Sequence, residues 1–103
     1  MNQGDLGEVE FKEWKCRAVL HRYKAGGPAI QLIETNNGHP VVTATANLPG
    51  LALTDQEVVV RGDKGLLEAL VIAGIVAYTG KIVRIGYSFG YICRLVKSTR
   101  VLH

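Results

Sequence analysis

Cysteine, long apolar runs and, past the middle of the chain, acidic residues are all scarce in this sequence. Each scarcity excludes something. Two cysteines, Cys16 and Cys93, are too few for a disulfide scaffold, so the expected compartment is a reducing cytoplasm. No apolar run reaches the roughly 18 residues of a membrane span. The longest, around Leu66–Val76, is broken by Glu68 and Gly74. Asp5 and Glu8 near the start, with no apolar stretch beside them, argue against a secretory leader.

The missing acids are the most informative absence. The 103 residues carry 12 Lys+Arg and 9 Asp+Glu, a formal charge of +3, yet every acid lies at or before Glu68. Lys81, Arg84, Arg94, Lys97 and Arg100 follow with no carboxylate side chain among them. Such an asymmetry suits an acidic partner, nucleic acid or an acidic protein surface. The plainer alternative is intramolecular: a basic last strand lying beside an acidic first strand that carries Glu8, Glu10 and Glu13. The pI of about 9.0 sits on the border for a nucleic-acid-binding domain and does not choose between them.

What is present is ordinary globular composition, 48% hydrophobic and 20% charged, which predicts one small domain over residues 1–103. Its ends, 1–8 and 97–103, read as frayed. From Val9 to Tyr23 the even positions Trp14, Cys16, Ala18 and Leu20 are apolar, and the odd positions Lys15, Arg17 and His21 are polar. Period two predicts a half-buried strand. A three-residue loop at Lys24–Gly26 then sets Leu20 opposite Ile30 and Ala18 opposite Leu32, on one buried face. Asn36-Asn37-Gly38 predicts a second three-residue loop. It places Leu32 against Val42, Ile30 against Ala44, Gln31 against Thr43 and Ile33 against Val41. Pro40, lacking an N–H, suits a strand start or an edge.

Asn47-Leu48-Pro49-Gly50 opens a loop running to about Asp55, and Glu57–Arg61 is a short strand. Asp63 is placed to cap a helix over about Lys64–Ala73 that ends at Gly74, with Leu66, Leu67, Leu70 and Val71 as its apolar stripe. After a break at Tyr78-Thr79-Gly80, Lys81–Val96 reads as one long strand. Its odd positions (Tyr87, Phe89, Tyr91 and Cys93 among them) face inward, while Gly86 and Gly90 signal a bend, a bulge or a close backbone approach. The expected fold is α+β: an antiparallel sheet of about five strands with one α-helix packed on its apolar face.

Several ordered pieces carry a resemblance: Ala29-Ile30-Gln31-Leu32, Thr45-Ala46-Asn47-Leu48-Pro49-Gly50, Gly65-Leu66-Leu67-Glu68-Ala69-Leu70, Ala73-Gly74-Ile75-Val76 and Tyr91-Ile92-Cys93-Arg94-Leu95. With their spacing they span about three quarters of the chain. They resemble a family of small proteins of unknown function encoded by bacterial phages and integrative or conjugative elements. The chain departs from that pattern before the helix, where Arg61-Gly62-Asp63-Lys64 replaces a longer acidic stretch. The resemblance implies a genomic setting and no catalytic residue. Small phage-borne proteins of this size often antagonise host defence by blocking a nuclease complex or sequestering a signalling nucleotide.

Tests for chemistry leave little. His21, His39 and His103 are scattered over a strand, a turn and the terminus, so no metal site is expected. Both cysteines point inward in this pattern and read as structural thiols. Arg61 and Lys64 flank a helix N-terminus, the best small-anion site in the sequence; the alternative is two solvated cations beside a capped helix. Lys15, Arg17, His21 and Tyr23 on one strand face, with Arg84, Arg94, Lys97 and Arg100 toward the end, form the candidate binding set. Of the aromatics, only Tyr23 and Tyr78 are expected to be free to stack on bases. Val19, Ile33, Val41 and Ile92 interrupt the polar faces, and a contiguous patch of them would mark an interface, a homodimer contact included.

The expectation is a non-enzymatic binding protein without cofactor, partnered by a host protein or complex. The alternative is a nucleic-acid or nucleotide-binding accessory protein that uses the basic C-terminal segment.

Overall fold

The computed structural model describes residues 4–23, 27–48, 51, 53–54 and 56–96. Strand β1 (Gly4–Phe11) turns through Lys12-Glu13 into β2 (Trp14–Arg22), followed by β3 (Pro28–Glu34), β4 (Pro40–Thr43) and β5 (Thr45–Ala46). Strand β6 (Glu57–Arg61), helix α1 (Leu66–Ile72), β7 (Val76–Ile85) and β8 (Ser88–Leu95) complete the order. The fold is α+β, but the expected single five-stranded sheet is two four-stranded antiparallel sheets, ordered β1-β2-β3-β4 and β5-β6-β8-β7.

The β2–β3 register is the expected one, Leu20 opposite Ile30 and Ala18 opposite Leu32, although loop residues 24–26 lie outside the described chain. Leu32 meets Val42 and Gln31 meets Thr43, as the second loop predicts. The ladder then slips, so Ile33 faces Pro40 and Val41 becomes the extra residue of a bulge. Val41 packs toward the core instead of pairing with Ile33 on the outer face. Pro40 opens β4, an edge strand.

Ala44 is where one sheet hands over to the other. Its N–H donates to the Ile30 carbonyl (2.8 Å) and its carbonyl accepts from the Arg61 N–H (2.8 Å). The adjacent Thr45 is fully buried, and its hydroxyl accepts from the Ile30 N–H (3.1 Å) and lies 3.0 Å from the Tyr23 hydroxyl. A buried hydroxyl in this position needs such partners, because an unpaired one costs about 1–3 kcal/mol.

Residues 4–8, expected to fray, form the first half of β1, with Leu6 and Val9 sealed in the core. A bulge between Asp5 and Gly7, with Gly7 at φ 109°, turns both side chains inward although their spacing is odd. The acidic first strand therefore neighbours β2, and the expected pairing with the basic last strand is not formed.

The helix differs in detail from its expectation. It spans seven residues and starts from Gly65 at φ 81°, with no side-chain cap; Asp63 contributes only its carbonyl, which accepts from the Leu66 N–H (3.1 Å). Two residues too early for an N-cap, its carboxylate cannot reach the first free N–H groups. The end is as expected: Gly74 at φ 74° donates to Val71, and Ile75 donates to Leu70, a Schellman closure. Leu66, Ala69 and Leu70 face inward, so Val71, assigned to the apolar stripe, is 43% exposed, and Ile72 is more so.

Both sheets and the helix close on one core. Leu6, Val9, Cys16, Ala18, Ile30 and Leu32 meet Val58, Val60, Cys93 and Val76, with Leu66 and Leu70 between them. Each such buried aliphatic side chain contributes roughly 1.5–3 kcal/mol through apolar area removed from water.

Candidate functional site

The stretch read as one strand from Lys81 to Val96 is a hairpin, and this changes which side chains reach solvent. Ile85 pairs with Ser88 across Gly86-Tyr87, and Gly86 has φ 57° while Tyr87 does not share the positive sign. Glycine at the first of two turn residues is the signature of a II′-type hairpin loop. The turn shifts the alternation: Arg84 now shares a face with Phe89, and Ile82 with Tyr91. Val83 and Ile85 fall on the reverse face with Gly90 and Ile92.

Tyr78-Thr79-Gly80, expected to break the chain, is instead a bulge inside β7. Register passes from Tyr78 opposite Cys93 to Lys81 opposite Ile92, so two residues are extruded. The Thr79 hydroxyl donates to the Ile92 carbonyl (2.7 Å), and Gly80 adopts φ 89°. Two extra residues preserve the alternation, so Tyr78 stays on the face of Ile82 and Tyr91.

Three rings therefore stand in a row. Tyr78 and Phe89 each meet Tyr91 edge to face, at centroid separations of 5.2 and 5.4 Å and interplanar angles of 85°. Tyr91 packs against the core and anchors the row, while Tyr78 is 39%, Phe89 41% and Ile82 61% exposed. Tyr87 at the loop is fully exposed. Glycines set the geometry beneath. Gly62 lies under the Phe89 ring, and a Cβ there would sit 2.7 Å from the Phe89 carbonyl oxygen and 3.2 Å from the ring. At Gly90 a Cβ would sit 2.7 Å from Val59 and 2.8 Å from Ile85 on the reverse face.

Arg84 flanks the row. Its Nε donates to the Gly86 carbonyl (3.2 Å), which leaves guanidinium donors of its planar fork for a ligand. Lys81, Arg61 and Arg94 project from the other face of the same sheet, opposite Ile92, Gly90 and Ala77. Among the described residues none of these four cations is within ion-pair distance of a carboxylate.

The β2 candidates behave differently. Arg17 pairs with Asp5 and reaches Glu8 (3.9 Å); Lys15 is exposed opposite Glu10. The Tyr23 hydroxyl is held at Thr45, and His21 is half-buried. The structure thus separates Lys15, Arg17, His21 and Tyr23, in the first sheet, from Arg84 and Arg94, which lie on opposite faces of the second. Lys97 and Arg100 lie outside the described residues, as does His103. Arg61 and Lys64 are both exposed, but the seven-residue helix beside them is entered through Gly65 without a side-chain cap. Val19, Ile33, Val41 and Ile92 make no fully exposed patch: Ile92 is buried and the other three are half-buried.

Neither thiol is poised as a nucleophile. Burial pushes Cys93 up to about 11, and burial followed by the Glu34 charge raises Cys16. No three His, Cys, Asp or Glu side chains gather into a metal-binding group among the described residues. An open groove of about 520 Å³ lies on the first sheet, between exposed Trp14 and Glu34, Asn37, His39, Pro40 and Val41. No helix among the described residues is long and apolar enough to cross a membrane.

Phe89 and Tyr87 were not legible as surface residues from alternation alone. Gly86 is the signal for Tyr87, which it places in a two-residue turn; Phe89 keeps the side of Tyr91 and Cys93 and is exposed because the core ends before it. Comparison with known protein families, curated proteins and solved structures finds no match to this chain.

Proposed function

We propose that this chain is a non-enzymatic binding protein whose contact surface is the outer half of the β7–β8 hairpin. The observation that carries the reading is the exposed Tyr78, Phe89 and Ile82 grouped around the half-buried Tyr91, flanked by Arg84, which has no carboxylate partner among the described residues. Large apolar and aromatic side chains grouped on a surface mark interaction sites, because water contact with them is costly and a partner relieves it. Aromatic rings and arginine are also the residues on which binding energy concentrates. The two buried thiols with raised pKa support a role without covalent chemistry. In the phage or mobile-element setting that the resemblance implies, such a protein acts by occupying a host component. Antagonism of a host defence system is the role we assign to it.

The test is affinity capture from bacterial lysate with the tagged protein and with Ile82→Glu, before and after nuclease. A host component captured by the parent and lost in Ile82→Glu supports the reading. Capture that is equal in both proteins removes the hairpin from the function.

A further inference from the structure

Resting on the assignment of the β7–β8 hairpin as the contact surface, we infer that its occupant is a single-stranded nucleic acid, with bases stacked on the exposed rings and the backbone drawn to the cations around them. Three observations converge. Two of the rings are surface groups: Phe89 and Tyr78 stand beside the half-buried Tyr91 at little over 5 Å, and Tyr87 is exposed in the adjoining turn. Every nucleobase has a π-face, so a row of this kind binds a strand with little regard to sequence. The bases must be unstacked from a partner strand to reach it, which selects single strands over duplex.

Charge is the second observation. Arg84 lies across the ladder from Phe89, and its fork fits a phosphate oxygen pair. Lys81 and Arg61 add positive potential from the reverse face of a sheet one strand thick, well inside a Debye length of roughly 8–10 Å, while Arg94 on that face stands across the ladder from Glu57. Asp63, beside Lys64, and Glu68 on α1 are the last acids of the chain, and both are exposed. Beyond Glu68 the sequence has none.

The third observation argues against a second copy of the chain. Strand β7 is the open edge of its sheet. A two-fold antiparallel pairing of two such edges keeps the faces matched, so registers centred on Lys81 or on Arg84 set each of these cations directly opposite its own copy. Like charges directly opposed destabilise such a pairing, and cations on an edge are a common guard against it. The same cations favour an anionic polymer.

The experiment is fluorescence anisotropy with a short labelled oligothymidine and with a duplex of equal length, titrated at several salt concentrations. The proposal predicts saturable binding of the single strand, at least tenfold weaker binding of the duplex, and affinity that falls as salt rises. Phe89→Ala lowers affinity by roughly tenfold or more, the usual cost of one lost stacking platform. Arg84→Gln lowers it and flattens the logarithmic salt slope by about 0.7, the value of one phosphate contact on a single strand. Phe89 rests on Gly62, so thermal melting accompanies each variant. Ile82→Glu, at an exposed site, keeps the test valid if Phe89→Ala fails to fold, and it too abolishes binding.

Absence of saturable binding at low salt overturns the proposal. So does binding that Ile82→Glu and Arg84→Gln leave unchanged. If the oligonucleotide does not bind while a host protein captured from nuclease-treated lysate is lost in Ile82→Glu, the nucleic-acid assignment falls and the contact surface stands. If neither ligand responds to the variants, both fall.

Discussion

Two hairpins of this molecule use similar residues to opposite ends. In β2–β3 the apolar positions Ala18, Ile30 and Leu32 are sealed, and the neighbouring strand β1 answers the cations of β2 with carboxylates. In β7–β8 only the inner half reaches the core, through Val76 and Cys93. The outer half projects rings and isoleucine into solvent beside cations that no described carboxylate meets. The first hairpin spends its side chains on folding, and the second leaves a set of them unsatisfied. A surface kept apolar and positive at once is costly in isolation, and a partner with π-faces and negative charge relieves both features.

The sharpest way to break the comparison is to truncate one buried and one exposed residue. Leu32→Ala in the sealed hairpin is expected to cost about 2–5 kcal/mol in urea unfolding, since it opens a cavity in a packed core. Ile82→Ala in the open hairpin is expected to stay within about 0.5 kcal/mol of the parent. Equal losses would mean that the outer half of β7–β8 is structural.

Gly90→Ala probes how the open hairpin is braced from behind. The added methyl would meet Val59, Ile85 and the Val60 carbonyl at 2.7–2.9 Å, and overpacking of that kind costs about 1–3 kcal/mol. A variant that melts like the parent would show that the reverse face is looser than these distances require.

The pH dependence of stability tests how well the inner half is sealed. The Cys93 thiol is raised from 9.0 to about 11 by burial. Below pH 9 it is neutral in both the folded and unfolded chains, and its contribution is fully present. Between 9 and 11 the unfolded chain releases the proton while the folded chain holds it, so stability falls as pH rises and the contribution is gone above 11. Relative to Cys93→Ala, the parent should lose about 3 kcal/mol more across that window. Parallel pH profiles would show that water reaches the thiol.

The smallest effect contrasts the arginines. Arg17→Gln removes ion pairs with Asp5 and Glu8 on a partly exposed surface and should cost less than about 1 kcal/mol. Arg84→Gln should leave the melting temperature unchanged, because no described carboxylate depends on it. A larger loss from Arg84→Gln would assign that residue to folding and weaken the case for its role in binding.

Local signals carried much of the fold. Alternation and loop length set the β2–β3 register residue for residue, Glu57–Arg61 emerged as a strand, and Gly74 marked the helix end. Each of these depends on a few consecutive residues and on backbone geometry that any neighbour would tolerate. The failures share one cause. At Leu6-Gly7, Val41 and Thr79-Gly80, bulges change the parity or register of a strand, and at Gly86 a turn divides what reads as one continuous strand. A period-two argument cannot see any of these, because extruded residues look like ordinary strand residues in sequence.

The candidate site was the least legible part. Its residues were visible, but Tyr87 and Phe89 were placed inside: Tyr87 lies in the turn that Gly86 opens, and Phe89 shares the core-facing side of Tyr91 and Cys93 but lies beyond what covers them. By itself the sequence determined strands β3 and β6, the β2–β3 register, the helix end and the charge asymmetry, all of which follow from neighbours along the chain. The division into two sheets at Ala44, the pairing of β1 with β2, and the exposure of the ring row follow from contacts between residues far apart in sequence. Burial of a side chain is decided by what covers it, and in β7–β8 nothing among the described residues covers the outer half.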